Sequence, residues 1–165
     1  MYIESYPGTL CVCIDNNQKE PISGRFYHRY GNRPVHFTNI LHFILKAEAV
    51  FEQTGAPMAT IRCRSFNKAK PPVSYGRKVY TMREANELLK HKGDKATFIV
   101  QVMYRQNSSW QGKLVWADEN KTVYFRSVLE LIKLMDSVIG DEQLHLELVK
   151  EGLEGEPAHD RQRTS

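Results

Sequence analysis

The sequence predicts an α+β fold made of two pseudo-symmetric antiparallel β-β-β-α repeats, with an inserted strand and helix between them. Three observations predict this fold. The chain matches itself at an offset of 88 residues, from Gly24 to Gly112. In each copy the apolar residues change from period two, which is typical of strands, to helical spacing. A glycine follows the helical segment of both copies, as at many helix ends.

The internal match begins at Gly24 and Gly112 and runs without a gap through the helical segment of each copy. Residues 32–37 fall on 120–125, and both stretches begin with an asparagine and a basic residue and end with a phenylalanine. Further similar pairs are Leu41 and Leu129, Ile44 and Ile132, Glu48 and Asp136, and Val50 and Val138. Similarity at one fixed offset is the signature of a repeated supersecondary unit.

The second copy shows the predicted elements most clearly. Three stretches rich in β-formers predict strands, over 97–105, 110–116 and 122–125. Ser127 and Glu130 form a capping box, so a helix is expected to begin there. Apolar residues then recur at helical spacing until Gly140, where the helix is expected to end.

The first copy repeats this plan. Its strands are predicted over 10–14, 22–29 and 35–37. Either Thr38 or Asn39 caps the following helix, and Gly55 ends it. A three-stranded unit with one helix is only marginally stable alone. We therefore expect both copies to bury one shared core about a pseudo-two-fold axis, with Leu41 and Leu129 pointing into it.

One domain is expected over 1–152, followed by a flexible acidic tail over 153–165. Within that domain, repeat one covers about 10–54, a basic insertion about 55–96 and repeat two about 97–140. The insertion is expected to hold a strand over 59–66. Thr81 and Glu84 form another capping box, which predicts a helix to about His91. A short helix is also expected over 141–151.

Composition predicts a soluble cytoplasmic protein. The 165 residues are 41% hydrophobic, and no apolar run approaches the roughly 20 residues that span a bilayer. The N-terminus lacks the basic start and apolar stretch of a signal peptide. The three cysteines fit a reducing compartment, because an odd number cannot form a complete disulfide framework. Cys11 and Cys13 are expected on one strand face, and neither a metal site nor a cofactor is predicted.

The sequence favours a non-enzymatic protein, because it contains no Walker loop, dinucleotide-binding fingerprint, nucleophile elbow or zinc-protease motif. Glu48 and Asp136, at matching positions of the two helices, are the acidic pair to consider for catalysis or metal binding. We favour salt bridges for them instead, with Arg25 and Lys113 as the expected partners.

The densest polar cluster lies in the predicted turn between the first two strands of repeat two. Its ligand-binding candidates are Arg105, Gln106, Asn107, Ser109 and Trp110. Guanidinium, amide and hydroxyl groups around one turn can bind a phosphate, a nucleobase or a peptide backbone. The alternative is a hairpin whose side chains satisfy its own backbone. Because Ile22 matches Trp110 in the first copy, we expect Trp110 to face the core.

The basic insertion is the candidate nucleic-acid surface. Seven cations lie between Gly55 and Arg83 with no acidic residue among them, and Phe66, Tyr75 and Tyr80 are interspersed. The candidate contacts are Arg62, Arg64, Lys68, Lys70, Arg77 and Lys78. Cations can neutralise phosphates while aromatic rings stack on bases. The alternative is a solvated loop whose charge is balanced by the acidic residues after position 140.

Two resemblances follow from these motifs. The runs RQNSSWQG and FRSVLELIKLMD, with GRFYHRY, PVHF and RSF earlier, resemble a family of small uncharacterised proteins from clostridia and other gut Firmicutes. That resemblance implies a bacterial origin and no particular activity. Asn107, Ser109 and Gly112 also resemble the short motif of PilZ domains, which bind cyclic di-GMP. The companion R-x-x-x-R motif is not nearby, since Arg25/Arg29 and Arg29/Arg33 lie in the other copy.

The sequence therefore predicts a small, non-enzymatic binding module that engages a protein or a nucleic acid. The alternative is a sensor of a nucleotide-like ligand held by Arg105, Asn107 and Ser109. A monomer or weak dimer is expected, because an internal duplication can replace a homodimer.

Overall fold

The computed structural model describes residues 3–15, 22–61, 63–66 and 81–140, and these form one antiparallel sheet and three helices. The strands are β1 (Gly8–Ile14), β2 (Gly24–His28), β3 (Val35–Phe37), β4 (Ala96–Tyr104), β5 (Gln111–Trp116) and β6 (Lys121–Phe125). The helices are α1 (Ile40–Thr54), α2 (Ala85–Leu88) and α3 (Val128–Ile139). The strand order is β3-β2-β1-β4-β5-β6. The α+β class predicted from the sequence is confirmed.

The two faces of the sheet carry separate apolar clusters. On one face, side chains such as Leu10, Phe26 and Val100 pack with the inner sides of α1 and α3 into the main core. On the other face, Cys11 and Ile99 belong to a smaller cluster that includes residues of α2. Side chains alternate along a strand, so β1 and β4 supply both clusters and lie at the centre of the sheet.

The ends of the two long helices follow the sequence expectation closely. Asn39, one of the two predicted caps, accepts a hydrogen bond from the backbone N–H of His42, and Gly55 ends α1 in the left-handed region at φ 66°. Ser127 accepts from the backbone N–H of Glu130 at the start of α3. Gly140 ends α3 in an extended conformation, so the predicted position is right although the left-handed cap is absent there.

The expectation that Leu41 and Leu129 point into the core is wrong. Both are exposed, at 60% and 61%. The buried stripe of α1 instead starts at Phe43, two residues further along, and the stripe of α3 starts at Leu131. Two residues correspond to about 200° of rotation around a helix, so Leu41 and Leu129 lie on the outer side.

The elements predicted in the insertion are also shorter than expected. Of the strand predicted over 59–66, the described residues keep only a single bridge from Ala59 to Arg105. Strand β1 pairs with β4 as far as Val102, so only the end of β4 is open to this segment, and there the N–H of Thr60 donates to the carbonyl of Arg105 at 3.1 Å.

The capping box predicted at Thr81 does not start a helix. The helix α2 begins after Glu84, whose side chain makes no cap hydrogen bond. Arg83 is tied to the end of β2, because its N–H donates to the carbonyl of Arg29 and its carbonyl accepts from the Arg29 guanidinium. These bonds hold the chain extended up to that point. The helix predicted over 141–151 and the tail over 153–165 lie outside the described residues.

Candidate functional site

Arg105, the first ligand-binding candidate, lies at the end of β4 and forms an internal connection. Its side chain is only 4% exposed and makes an ion pair with Glu48 of α1. A second guanidinium nitrogen, Nη1, donates to the carbonyl of Pro57 at 3.0 Å. The guanidinium also lies over the ring of Phe51, 5.8 Å from its centroid. Arg105 therefore ties α1 and the segment after it to the sheet.

Trp110 completes this cluster from the core side. The expectation that it faces the core is confirmed, since it is only 2% exposed. Its indole N–H donates to the second carboxylate oxygen of Glu48 at 2.6 Å. Its ring meets those of Phe43 and Phe51 edge-on, at centroid distances of 6.4 and 5.3 Å. Glu48 thus accepts from two buried donors, one charged and one neutral.

The salt-bridge partners predicted for the two matching acids are therefore wrong, although Glu48 does form a salt bridge. Glu48 pairs with Arg105, whereas Arg25 pairs with Asp15 at 2.5 Å. Lys113 pairs with Glu4 of the N-terminal segment at 3.3 Å. The strand order decides these partners, because Arg25 lies on the sheet face opposite the helix that carries Glu48.

The remaining polar candidates form a tight hairpin turn between β4 and β5. Asn107 and Ser108 both have left-handed backbones, at φ 54° and 55°, and Ser109 N–H donates to the Gln106 carbonyl at 3.0 Å. Two left-handed central residues are typical of a type I′ turn. The side chain of Gln111 bonds both backbone groups of Gln106. The hairpin thus satisfies its own backbone.

Ser109 has a separate structural contact. Its hydroxyl accepts a hydrogen bond from the backbone N–H of Val128 at 2.9 Å, so it helps to fix the start of α3. Of the five ligand-binding candidates, Arg105 and Trp110 are brought together inside the protein, while Gln106 and Asn107 are exposed at the turn. The structure therefore disperses the cluster that the linear sequence suggests.

Of the three arginines considered for a PilZ-type site, Arg33 is exposed, whereas Arg25 and Arg29 have internal partners. Arg29 is 2% exposed, and its guanidinium donates to the carbonyls of Arg83 and Tyr6 at 2.7 and 3.1 Å. Arg25 donates to both carboxylate oxygens of Asp15. In both cases the guanidinium is engaged in holding the sheet to its neighbouring segments.

The basic insertion is represented in the structure by one candidate cation. Arg64 is exposed, and the nearby ring of Phe66 is fully exposed as well. The other nucleic-acid candidates, Arg62, Lys68, Lys70, Arg77 and Lys78, lie outside the described residues.

Cys11 and Cys13 share one face of β1, as expected, and both are buried. Their sulfur atoms are 4.0 Å apart. The described part of the chain contains no group of three or more histidine, cysteine or acidic residues arranged to hold a metal ion.

A groove between β6 and α3 is a surface that the sequence reasoning missed. It has a volume of about 250 Å³, and its lining includes Phe98, Leu114, Trp116, Val123, Leu134 and Val138. Beside it, residues 121–124 of β6 are exposed. In the described chain β6 is the last strand of the sheet, so its outer edge has no strand partner. Lys121 also lines the groove, with its ammonium group 5.2 Å from the centroid of the Trp116 ring.

No sequence signal identifies this groove, because a hydrophobic strand reads the same at the centre and at the edge of a sheet. In the structure the strand edge is recognised by exposure, since Val123 is 46% and Tyr124 67% exposed.

The fold and these contacts define a one-sheet α+β domain with helices on both faces and a groove at one sheet edge. No family model, curated protein or solved structure matches the chain. None of the helices in the described ranges is both long and apolar enough to pass through a membrane.

Proposed function

We propose that this chain is a non-enzymatic binding module that engages another protein by adding an extended peptide to the outer edge of β6. The observation that carries the proposal is a strand edge with no partner among the described residues, combined with an apolar groove directly beside it. An edge strand presents N–H and C=O groups that can pair with an added strand. Pockets for alternate side chains then supply specificity in this mode of recognition.

The groove suits one face of such a peptide. Every second side chain of an extended peptide points to the same face, so an apolar residue can enter the groove between Val123 and Leu134 while its neighbours remain in solvent. Lys121, whose side chain is 67% exposed, adds a positive charge beside this groove and has only an exposed carboxylate, that of Glu119 at 3.8 Å, as its ion-pair partner in the described chain. We therefore expect an acidic residue or a terminal carboxylate in the peptide near Lys121.

The non-enzymatic part of the proposal rests on how the polar candidates are used. Glu48 accepts from both Arg105 and Trp110 inside the fold, and Arg105 offers little to an external phosphate because its side chain is 4% exposed. This burial also weighs against the competing nucleotide sensor built on Arg105.

The exposed thiol of Cys63 supports a reducing, cytoplasmic compartment.

We further infer that the sheet is an internal duplication. The registers of the strand pairs support it. Each residue pair between β1 and β2, and between β2 and β3, has a counterpart 88 residues later, between β4 and β5 or between β5 and β6. Leu10 pairs with His28 as Phe98 pairs with Trp116, and Gly24 pairs with Phe37 as Gly112 pairs with Phe125. Cys11 pairs with Ile99, its own counterpart, which is the position expected for an internal two-fold axis.

The matched glycines give this duplication a direct test. A Cβ on Gly24 would lie 2.0 Å from the carbonyl oxygen of Cys13, and one on Gly112 would lie 1.9 Å from that of Gln101. Cys13 and Gln101 are themselves 88 residues apart. We expect Gly24→Ala and Gly112→Ala each to lower the free energy of unfolding by about 2 kcal/mol or more, because a backbone oxygen cannot move aside cheaply. Urea unfolding measures both. A neutral result for either glycine would contradict equivalent close approaches.

The peptide proposal is tested by selecting a phage-displayed library of random short peptides on the full chain. We expect the selected peptides to carry apolar residues at alternate positions. A synthetic copy of the best one should bind Val123→Lys at least about tenfold more weakly, because the added ammonium group would stand in the apolar groove. Thr122→Lys is the matched control, since it adds the same charge on the same strand but on the opposite face.

Other partners give distinguishable results. Single-stranded RNA held by the basic insertion would bind less tightly as salt rises, would not be weakened by Val123→Lys, and would be weakened by Arg64→Gln. Pairing of two copies through β6 would appear as a dimer in sedimentation experiments. Failure to select any peptide, or equal loss of binding in both lysine variants, would contradict the proposed groove.

A further inference from the structure

A second cavity lies on the sheet face opposite α1 and α3. Its volume is about 380 Å³, and its floor is formed by Thr97 and Ile99 of β4. One wall is the connection from α2 to β4, which contributes Leu89, His91 and Lys92. The other wall is the turn between β5 and β6, which contributes Ala117 and Asp118. These residues are all different from those that line the β6–α3 groove.

The polar groups of this cavity are held in place by the surrounding fold. Asp118 accepts from the backbone N–H of Thr97 at 2.7 Å and from the indole N–H of Trp116 at 3.2 Å. Both bonds end on the same carboxylate oxygen, Oδ2, so the other oxygen keeps its acceptor capacity. Such a carboxylate is oriented before any ligand arrives, which reduces the entropy lost on binding.

The opposite wall is fixed by different contacts. The His91 ring stacks on Tyr27 with a centroid distance of 3.5 Å and an interplanar angle of 5°. The carbonyl of Lys92 accepts from the Arg25 guanidinium at 3.0 Å, and the N–H of Gly93 donates to the Thr97 hydroxyl at 3.0 Å. The backbone that carries His91 and Lys92 is therefore anchored to the strands beneath it.

The two walls carry opposite charges. Burial lowers the pKa of His91, and the nearby cations Arg25, Arg83 and Lys90 lower this pKa further. The imidazole is therefore neutral at neutral pH, and Lys92 supplies the positive charge of its wall. Leu89, Ile99 and Ala117 supply the apolar part of the lining. Small-ligand sites typically combine an apolar lining with a few placed polar groups.

We infer that this cavity binds a small zwitterion of the amino-acid type with an apolar side chain. The ligand's ammonium group pairs with Asp118, its carboxylate with Lys92, and its side chain covers Ile99 and Ala117. A zwitterion can pair with both Asp118 and Lys92, whereas an amine or a carboxylic acid of the same size would leave one of these protein charges without its ligand partner. This inference is independent of the peptide groove.

The test uses the full-length chain with three related probes: L-leucine, N-acetyl-L-leucine and L-leucinamide. The two derivatives each remove one of the charges and keep the side chain. We expect L-leucine at millimolar concentration to raise the melting temperature, because a ligand that binds the folded state alone stabilises it. Calorimetric titration should show affinities for both derivatives that are at least about tenfold lower.

Two variants locate the site. Asp118→Asn and Lys92→Met are each expected to weaken L-leucine binding at least about tenfold. Glu119→Gln and Lys90→Met are the matched controls, because these residues adjoin Asp118 and the His91–Lys92 wall but do not line the cavity. If Asp118→Asn proves unstable, Lys92→Met and the three probes on the unmodified protein still decide the matter. Absence of leucine binding, equal binding of all three probes, or equal loss in the control variants would overturn the inference.

Discussion

Replacing Glu48 with glutamine is expected to lower the free energy of unfolding by about 3 kcal/mol. Both carboxylate oxygens of Glu48 accept from buried donors, one from the Arg105 guanidinium and one from the indole N–H of Trp110. A glutamine side chain offers a single oxygen, so one donor would face an NH₂ group instead. Arg105 would also keep its charge without a counterion in a side chain that is 4% exposed. Removing one member of a buried ion pair typically costs about 3–5 kcal/mol.

The loss of stability should be large because the Arg105 guanidinium has few other hydrogen-bond or ion-pair partners. Its Nε has no partner among the described residues, and its remaining close bond is to the carbonyl of Pro57. Glu52 is 3.9 Å away and its side chain is 60% exposed, which makes it a weak substitute. Glu52→Gln is therefore the matched control, with an expected change of less than about 1 kcal/mol. Urea unfolding of both variants measures the difference.

A similar loss in the two glutamine variants would contradict the described ion pair. The double variant Glu48→Gln, Arg105→Met extends the test, because it removes the uncompensated charge together with its partner. We expect it to be more stable than Glu48→Gln alone, since a buried ion pair replaced by apolar groups often costs little.

Replacing Leu131 with alanine is expected to lower the free energy of unfolding by about 3–5 kcal/mol, whereas the same change at Leu129 should have an effect below about 0.5 kcal/mol. Leu131 is fully buried in the main core, while Leu129 is 61% exposed on the outer side of α3. The two substitutions delete the same atoms from the same helix. Their difference therefore reports burial alone, apart from small differences in local helix propensity.

This comparison decides which face of α3 packs on the sheet. Urea unfolding and the melting temperature of both variants measure it. A large loss for Leu129→Ala with a small one for Leu131→Ala would mean that α3 is rotated relative to the sheet. Equal losses would show that both leucines are covered.

Much of the fold could be predicted because it depends on interactions between residues that are close together in the sequence. The turn between β4 and β5, the caps at Asn39 and Ser127, and the strands β3 and β6 follow from residue types within a few positions of each other. The placement of Trp110 was predictable for a different reason, since it rests on the match with Ile22 in the first copy. In each case the deciding residues lie close together in sequence or match a similar residue 88 positions away.

The candidate site was predicted poorly because its chemistry depends on partners far away in sequence. Arg105 and Asn107 look alike in the sequence, as polar residues of one turn. Only the packing of α1 against β4 brings Glu48 to Arg105 and turns a potential ligand contact into an internal ion pair.

The sequence by itself determined the α+β class, the order of the main elements, the ends of α1 and α3 and the burial of the indole of Trp110. The tertiary structure decided which helix face is buried, which strands are left at the edges, and which charges find partners. Helical spacing alone allowed Leu41 and Leu129 to face the core, and contact with the sheet selected the stripes that begin at Phe43 and Leu131. The edge position of β6 depends on the pairing of β1 with β4, and the pairing of two strands about 90 residues apart cannot be read from the chain around either one.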